Sequence, residues 1–426
     1  MARAKIIFFT TTVILVCSLG FIATDIYQPS LPSLAHYFKD DGFKSILTLS
    51  VFMYGMAVSQ IAIGILSDRF GRRSVLTLCF FFFSIASLGC FYADNLDSLL
   101  IFRFFQGMFA SAGLTIGQAM VADTFDEQQT SKILSITVPL IAFSPAVAPL
   151  IGAYLDESYG WRANFIVLSA YSLFIICLIH SRWFPQEQSN ETKKQPYTST
   201  TGHMFSKENV QKLKQLISIK NIKHKMDGKM LRLLGYLIFA MNSNAIYFTF
   251  VSGSPLYLSQ SGASAITIGL SVCIASVPYM ISSFIGNYLR KTMAVSTILF
   301  TGLILGGLGG LLLVLFGHLN LIGFWPLLIP TLFTTFGNGL LMPISASGAL
   351  SLYPHHTGLV SGILGTAQLV AAGTATYLVS LLQNGTLLPL GYQTMGIACL
   401  AAAYFLCVFK KAFILLPSIK NSSFTS

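Results

Sequence analysis

Roughly twelve runs of about 20 apolar residues, separated by short polar connections, constrain this chain more than any other feature. The hydrocarbon core of a bilayer is about 30 Å thick, and a helix of that length crosses it with every backbone hydrogen bond kept inside the segment. The first six runs lie near 6–37, 45–66, 74–93, 98–122, 132–155 and 162–184. After a polar stretch, six more lie near 230–258, 264–289, 293–317, 321–349, 357–383 and 391–416. The expected fold is therefore all-α and integral to the membrane, with twelve transmembrane helices in two pseudo-symmetric six-helix halves. The expected division is an N-terminal half at 1–184, a cytoplasmic linker at 185–229 and a C-terminal half at 230–426. Gly64 to Arg73 and Gly286 to Lys291, each a Gly followed by a basic turn, occupy corresponding places in the two halves, as parallel transporter repeats do.

Only 10% of the residues are charged and 54% are hydrophobic, against about 25% charged in a soluble domain, so a water-soluble fold is excluded. The net charge of +11 does not point to nucleic acid, because the basic residues sit between apolar segments rather than on one polar surface. They report orientation instead, since cytoplasmic loops keep the excess of Lys and Arg. Arg3 and Lys5, then Arg69, Arg72 and Arg73, the central stretch, Arg290 and Lys291, and Lys410, Lys411 and Lys420 all fall on one side. That side is expected to be the cytoplasm, with both termini on it. The opposite connections balance Asp40 and Asp41 with Lys39 and Lys44, carry Asp94 and Asp97, and set Asp156 and Glu157 beside Arg162. The connection holding Asp123, Asp126 and Glu127 goes against the trend, but acidic residues weigh little in this rule. Arg3 and Lys5 before Ile6 to Phe21 mimic a signal peptide, yet no polar mature domain follows, so an uncleaved first span is expected. The seven cysteines all lie in apolar stretches without metal-type spacing and read as small buried residues. From Arg182 to Arg232, eleven Lys or Arg face four acids. Val210, Leu213, Leu216 and Ile217 recur there at helical spacing, consistent with either a surface helix at the anionic inner leaflet or a solvated linker.

An ionisable group inside hydrocarbon costs several kcal/mol and is a functional candidate by default. Two stand well inside the runs, Asp25 in the first and Arg103 in the fourth. Beyond Asp227 the chain contains no Asp or Glu, so proton coupling has little choice of carrier other than Asp25. A carboxyl drawn between removal from water, which favours its neutral form, and a nearby cation such as Arg103, which favours the charged one, can exchange a proton for a substrate. The bland alternative is a static buried ion pair joining the first and fourth helices.

Gly64, Asp68, Arg69, Gly71, Arg72 and Arg73 make the second constellation. Gly71 permits a tight turn, and Asp68 can pair with Arg72 or cap a neighbouring helix, forming a conformational latch on the cytoplasmic side. A plain positive-inside turn would account for the arginines, though not for the Asp and the two Gly. In the fifth run, Pro145, Pro149 and Gly152 follow Pro139, and three prolines with small residues between them give either a flexing, tightly sealed element or a merely kinked helix. Tyr27, Gln28, Tyr54, Gln106, Asn242, Asn244, Tyr247, Asn338 and Gln368 are candidates for lining a substrate cavity, each with interhelical hydrogen bonding as the alternative. His355 and His356 read as solvated loop. No convergent nucleophile, acid/base pair or metal cluster is visible, so no enzymatic activity, metal or cofactor is expected.

These residues resemble the major facilitator superfamily, and within it the Bcr/CflA group of drug:proton antiporters. Gly64 to Arg73 is similar to the superfamily signature between its second and third helices, with Ser67 where Ala is common. Arg103 with Gln106 and Gly107 resembles the fourth-helix signature of proton antiporters, in which the Arg is tied to proton transfer. Ala148 to Ala153 resembles the fifth-helix antiporter signature, with Ala153 where a second Gly is usual. Asp25 to Pro29 with Leu31 and Pro32 is similar to the group's first-helix pattern, with Gln28 where Leu is common, and Ser254 to Tyr257 to its seventh-helix end. The resemblance implies a proton-driven exporter of small amphiphilic compounds in the inner membrane, monomeric, working by alternating access. The acid of the first helix would alternately hold proton or substrate. A dedicated exporter of one metabolite, such as a siderophore or sugar, is the rival on the same scaffold.

Overall fold

The computed structural model describes residues 3–126, 128–130, 133, 137, 144–184, 228–353 and 357–409. Among these residues the regular structure is helical throughout, with no strand. The elements are α1 (Arg3–Asp25), α2 (Leu31–Phe38), α3 (Phe43–Phe70), α4 (Arg72–Phe91), α5 (Leu96–Thr124), α6 (Ser144–Tyr159) and α7 (Ala163–Ile179), then α8 (Gly228–Gln260), α9 (Ala265–Leu289), α10 (Val295–His318), α11 (Phe324–Leu352), α12 (Thr357–Leu382) and α13 (Leu388–Tyr404). Among the described residues ten helical stretches are long and apolar enough to cross a membrane, and α7 is a shorter apolar helix. Ile133 and Thr137, ahead of α6, are helical too, and the Thr137 hydroxyl donates to the Ile133 carbonyl at 2.9 Å. Residues 185–227 of the expected linker, with its candidate surface helix, and His355 and His356 lie outside the described residues, while Gly228 and Lys229 already belong to α8.

The first run is one crossing made of two helices. Pro29 and Pro32 cannot donate backbone hydrogen bonds, and between α1 and α2 the chain passes through a single 3-10 turn at Gln28–Ser30. The following loop is organised by Asp40, whose Oδ2 accepts from the Ser45 amide at 2.9 Å and its hydroxyl at 2.8 Å, capping the start of α3. Asn95 does the same for α5, accepting from the Ser98 amide at 2.8 Å.

Water does not drive helices together in lipid, so close packing of small residues must. A Cβ on Gly107 of α5 would lie 2.1 Å from the Phe52 carbonyl of α3, and one on Gly339 of α11 would lie 2.3 Å from the Tyr279 carbonyl of α9. The same crossing is thus built twice, second helix on fourth and eighth on tenth. The contacts between the halves repeat in the same way, α3 against α12 and α6 against α9.

Those seams are closed towards the face opposite the Gly71 turn. There the Gln383 amide donates to the Asp41 carbonyl at 2.7 Å, and the Ile266 amide donates to Glu157 Oε1 at 3.0 Å. Deeper in, the Ser50 hydroxyl donates to the Gly373 carbonyl at 2.7 Å, and the hydroxyls of Tyr54 and Thr374 are 3.0 Å apart. One buried apolar cluster runs through both halves, joining Leu49 and Phe52 to Val251, Tyr257 and Ala372. Towards the Gly71 face the second half has its own separate cluster, around Tyr236, Phe239, Leu341, Phe405 and Phe409. The halves are therefore joined at one face, with distinct cores at the other.

Candidate functional site

Asp25 is the last residue of α1, placed there by the break that the prolines impose. Its side chain is buried, with 2% of the residue exposed. Oδ1 accepts from Gln28 Nε2 at 2.9 Å, across the 3-10 turn. Oδ2 is buried without a hydrogen-bond partner. Beside the carboxyl lie the hydroxyls of Ser144 on α6 and Tyr247 on α8, neither of which has any other hydrogen-bond partner. Tyr279 of α9 adjoins Tyr247. The carboxyl therefore sits where the first half meets the second, touched from both.

Arg103 is fully buried on α5. Its guanidinium donates to Gln106 Oε1 at 2.6 Å and, at 3.4 Å, to the Ala23 carbonyl of α1. Three rings enclose it, those of Phe52 at 4.3 Å, Tyr27 at 4.8 Å and Phe165 at 5.9 Å from the guanidinium carbon. No ion pair joins Arg103 to Asp25 among the described residues, so the static buried pair is absent from this structure. The reason is directional: the Arg103 side chain turns into the packed interior of the first half, and it meets the backbone of the first helix two residues before the carboxyl.

The cavity candidates divide accordingly. Tyr27 and Gln106 are fully buried and committed to internal partners, Tyr27 to the Thr48 hydroxyl at 3.1 Å and Gln106 to the Ser87 hydroxyl at 2.7 Å. Gln28 holds Asp25, and Tyr54 belongs to the seam between α3 and α12. Asn338 donates to the Ser243 carbonyl at 3.1 Å and ties α11 to α8. Asn242 is buried with neither amide atom partnered. Asn244 and Gln368 are partly buried and both reach Met342 Sδ, at 3.7 and 3.2 Å. With Tyr247 and Asp25 they place polar groups from α1, α8 and α12 between the halves.

At the opposite end of the first half, Gly71 turns the chain from α3 to α4 with a φ of +91°, a conformation that L side chains rarely adopt. Arg72 pairs with Asp68, donates to the Ser67 hydroxyl at 2.7 Å and reaches Asp123 of α5 at 3.1 Å. Arg69 is exposed and stacks over Phe70, the Gly64 carbonyl accepts from the Ser67 hydroxyl, and the Arg73 carbonyl accepts from Thr77. In this state the network holds α3, α4 and α5 together within one half. Pro145 and Pro149 lie in α6, and Gly152 is pressed onto the first helix, where a Cβ would meet the Ile26 carbonyl at 1.7 Å.

Residues 13–376 match the family model described as Major Facilitator Superfamily. The chain belongs to the major facilitator superfamily. Among relatives of this superfamily transporter, a "Bicyclomycin resistance protein homolog" from Haemophilus influenzae is 27% identical over 93% of this chain and 96% of that protein. "Multidrug resistance protein D" from Escherichia coli is 25% identical over 90% and 91%. These are Bcr/CflA-type drug transporters, and the twelve-helix superfamily fold agrees with the helices seen here. The solved xylose transporter XylE from E. coli, partially occluded and inward open, superposes with a TM-score of 0.71 over 95% of this chain and 98% of its own at 15% identity. A bacterial homolog of the human lysosomal transporter Spinster, inward-facing and unoccupied, gives 0.72 over 98% and 100% at 14% identity. The chain is a superfamily transporter, not an enzyme. Ser144 and Tyr279 escaped the sequence reading as neighbours of this site, because hydroxyls in apolar helices announce no partner across the fold.

Proposed function

We propose that this multi-pass membrane protein is a proton-coupled antiporter that exports small amphiphilic compounds across the inner membrane by alternating access. The observation that carries it is Asp25: a buried carboxyl with no ion-pair partner among the described residues, at a helix break, faced by the hydroxyls of Ser144 and of Tyr247 from the opposite half. An isolated carboxylate out of water is costly unless a proton or a cationic ligand neutralises it. Proton and substrate therefore compete for one group, which is the basis of exchange. Both relatives named for drug resistance support export as the direction and amphiphiles as the cargo. With the basic turns on the cytoplasmic side and both termini there, the closed face is the outer one and this state faces inward. The protein works as a monomer and draws its energy from the proton gradient, without a cofactor.

The test is proton release from the purified protein, in lightly buffered detergent solution, on adding each member of a panel of lipophilic cations, neutral amphiphiles and carboxylate siderophores. Release by several chemically different amphiphiles supports this reading. Release by a single compound class points to a dedicated exporter, and no release by any compound refutes antiport.

A further inference from the structure

Asp156 reads from the sequence as part of an outer connection, yet the structure places it inside the end of α6 with 7% of the residue exposed. It completes a ladder at helical i,i+4 spacing, Ser144, Ala148, Gly152 and Asp156, along the face of α6 that packs on the first helix. Ser144 lies beside the Asp25 carboxyl. Gly152 abuts the Ile26 carbonyl. Asp156 Oδ2 accepts from the Ser33 hydroxyl at 2.6 Å, and Ser30 adjoins the same carboxyl. From Ser144 to Asp156 the ladder covers about 18 Å at 1.5 Å per residue.

We propose that Asp156 is a second proton-binding site of this transporter. This inference rests on proton coupling as the driving force and concerns which groups carry the protons. The Ser30 hydroxyl accepts from Asn164 Nδ2 at 2.9 Å, while Asp156 Oδ1 and Asn164 Oδ1 are both buried acceptors without a donor. No Lys or Arg forms an ion pair with Asp156 among the described residues. The ionisable groups around it offer no compensation. Glu157, on the same helix, is engaged by the Ile266 amide. Tyr27, on the first helix, is bonded to Thr48. Arg162, ahead of α7, is held by the carbonyls of Phe91 and Ala93. α9, packed on the other side of α6, carries no charged residue. The Ser33 and Ser30 hydroxyls are the only donors facing this carboxyl among these groups, and a proton on Asp156 removes a buried charge that no cation compensates. Ser33 is exposed, so the cluster opens at the closed face of the molecule, and two proton sites stand in series along one face of α6.

The test is infrared difference spectroscopy of the purified, substrate-free protein in lipid, stepped between acidic and alkaline buffer and read in the carbonyl-stretch region of protonated carboxyl groups. The expected wild-type spectrum contains two pH-dependent bands, one lost in Asp25→Asn and the other in Asp156→Asn. Ser33→Ala, at an exposed position, moves the second band to higher wavenumber, because Oδ2 loses its donor while the proton remains on Oδ1. A spectrum in which neither Asp156→Asn nor Ser33→Ala changes any band overturns the proposal, and if Asp156→Asn does not fold, an unshifted Ser33→Ala spectrum overturns it alone. An Asp156 band present while Asp25→Asn changes nothing supports the second site and removes Asp25 from the proton pathway, so the two ideas fail separately.

Discussion

Enlarging Gly269 should unseat the closed face. This residue lies on α9 where the second half meets α6 of the first, and a Cβ built on it falls 2.9 Å from the Pro149 carbonyl oxygen and 3.2 Å from the Ala153 Cβ. One neighbour is backbone and the other a methyl group, so neither can rotate away and the helices themselves must part. Overpacking of this kind costs about 1–3 kcal/mol, Ala at the lower end and Leu at the upper. The cost falls on the closed state alone if the seam separates when the transporter opens to the other side. At about 1.4 kcal/mol per tenfold change, the ratio of closed to open then drops roughly fivefold for Gly269→Ala and about 150-fold for Gly269→Leu.

Spin labels at Asp94 and Leu319, in connections of opposite halves at the closed face, report the separation directly once the seven native cysteines are replaced. Pulsed dipolar distances should lengthen progressively from wild type through Ala to Leu. Gly396 on α13 is the control, since a Cβ there meets nothing within 4 Å, and Gly396→Ala should leave the distribution where it was. Equal distance distributions for wild type and Gly269→Leu, in a folded protein, would mean that the seam between α6 and α9 does not open in the transport cycle.

Two further outcomes follow from the same geometry. Asp25→Asn keeps the hydrogen bond with Gln28 but removes the titrating group; gradient-driven efflux in energised vesicles should fall to background while substrate binding to purified protein persists, and normal efflux would exclude Asp25 as the carrier. Asp68→Asn breaks the pair with Arg72 but leaves Ser67 and Asp123 on the same guanidinium, so turnover should fall severalfold with affinity little changed, and an unchanged transport rate would show that the pair is not part of the cycle.

Hydropathy made the number and order of the crossings legible, because about 20 apolar residues per span is a demand of the bilayer itself. Ends were less so. The run read as 45–66 is a helix from Phe43 to Phe70, since Asp68 and Arg69 lie at the membrane surface where charges remain wetted or paired and the helix continues through them. The acidic connection after the fourth crossing, anomalous as an orientation signal, is explained by Arg72 reaching Asp123, a contact between positions 51 residues apart that no local pattern encodes. Asp156 was misplaced for a related reason: polarity assigned it to a loop, whereas its i,i+4 relation to Gly152 and Ser144 marks one helix face. Side-chain direction was the hardest to read. Two opposite charges in neighbouring spans suggested a pair, but the rotation of α5 about its axis is set by packing such as that of Gly107 on the Phe52 carbonyl.

That rotation separates two accounts of Arg103. If its charge alone mattered, Lys would serve, whereas the contacts here belong to a flat guanidinium: rings at 4.3 and 4.8 Å, Gln106 at 2.6 Å and the Ala23 carbonyl of the first helix. An ammonium is a compact, strongly hydrated point charge without the planar fork that reaches Gln106 and the Ala23 carbonyl together, and a hydrogen bond from a charged donor is worth about 2 kcal/mol. Arg103→Lys should therefore loosen the first helix next to Asp25, lowering transport by roughly 30-fold at about 1.4 kcal/mol per decade and lowering the thermal unfolding midpoint with it. Transport and stability both at wild-type level in Arg103→Lys would show that positive charge, rather than the shape that anchors the first helix, is what the site requires.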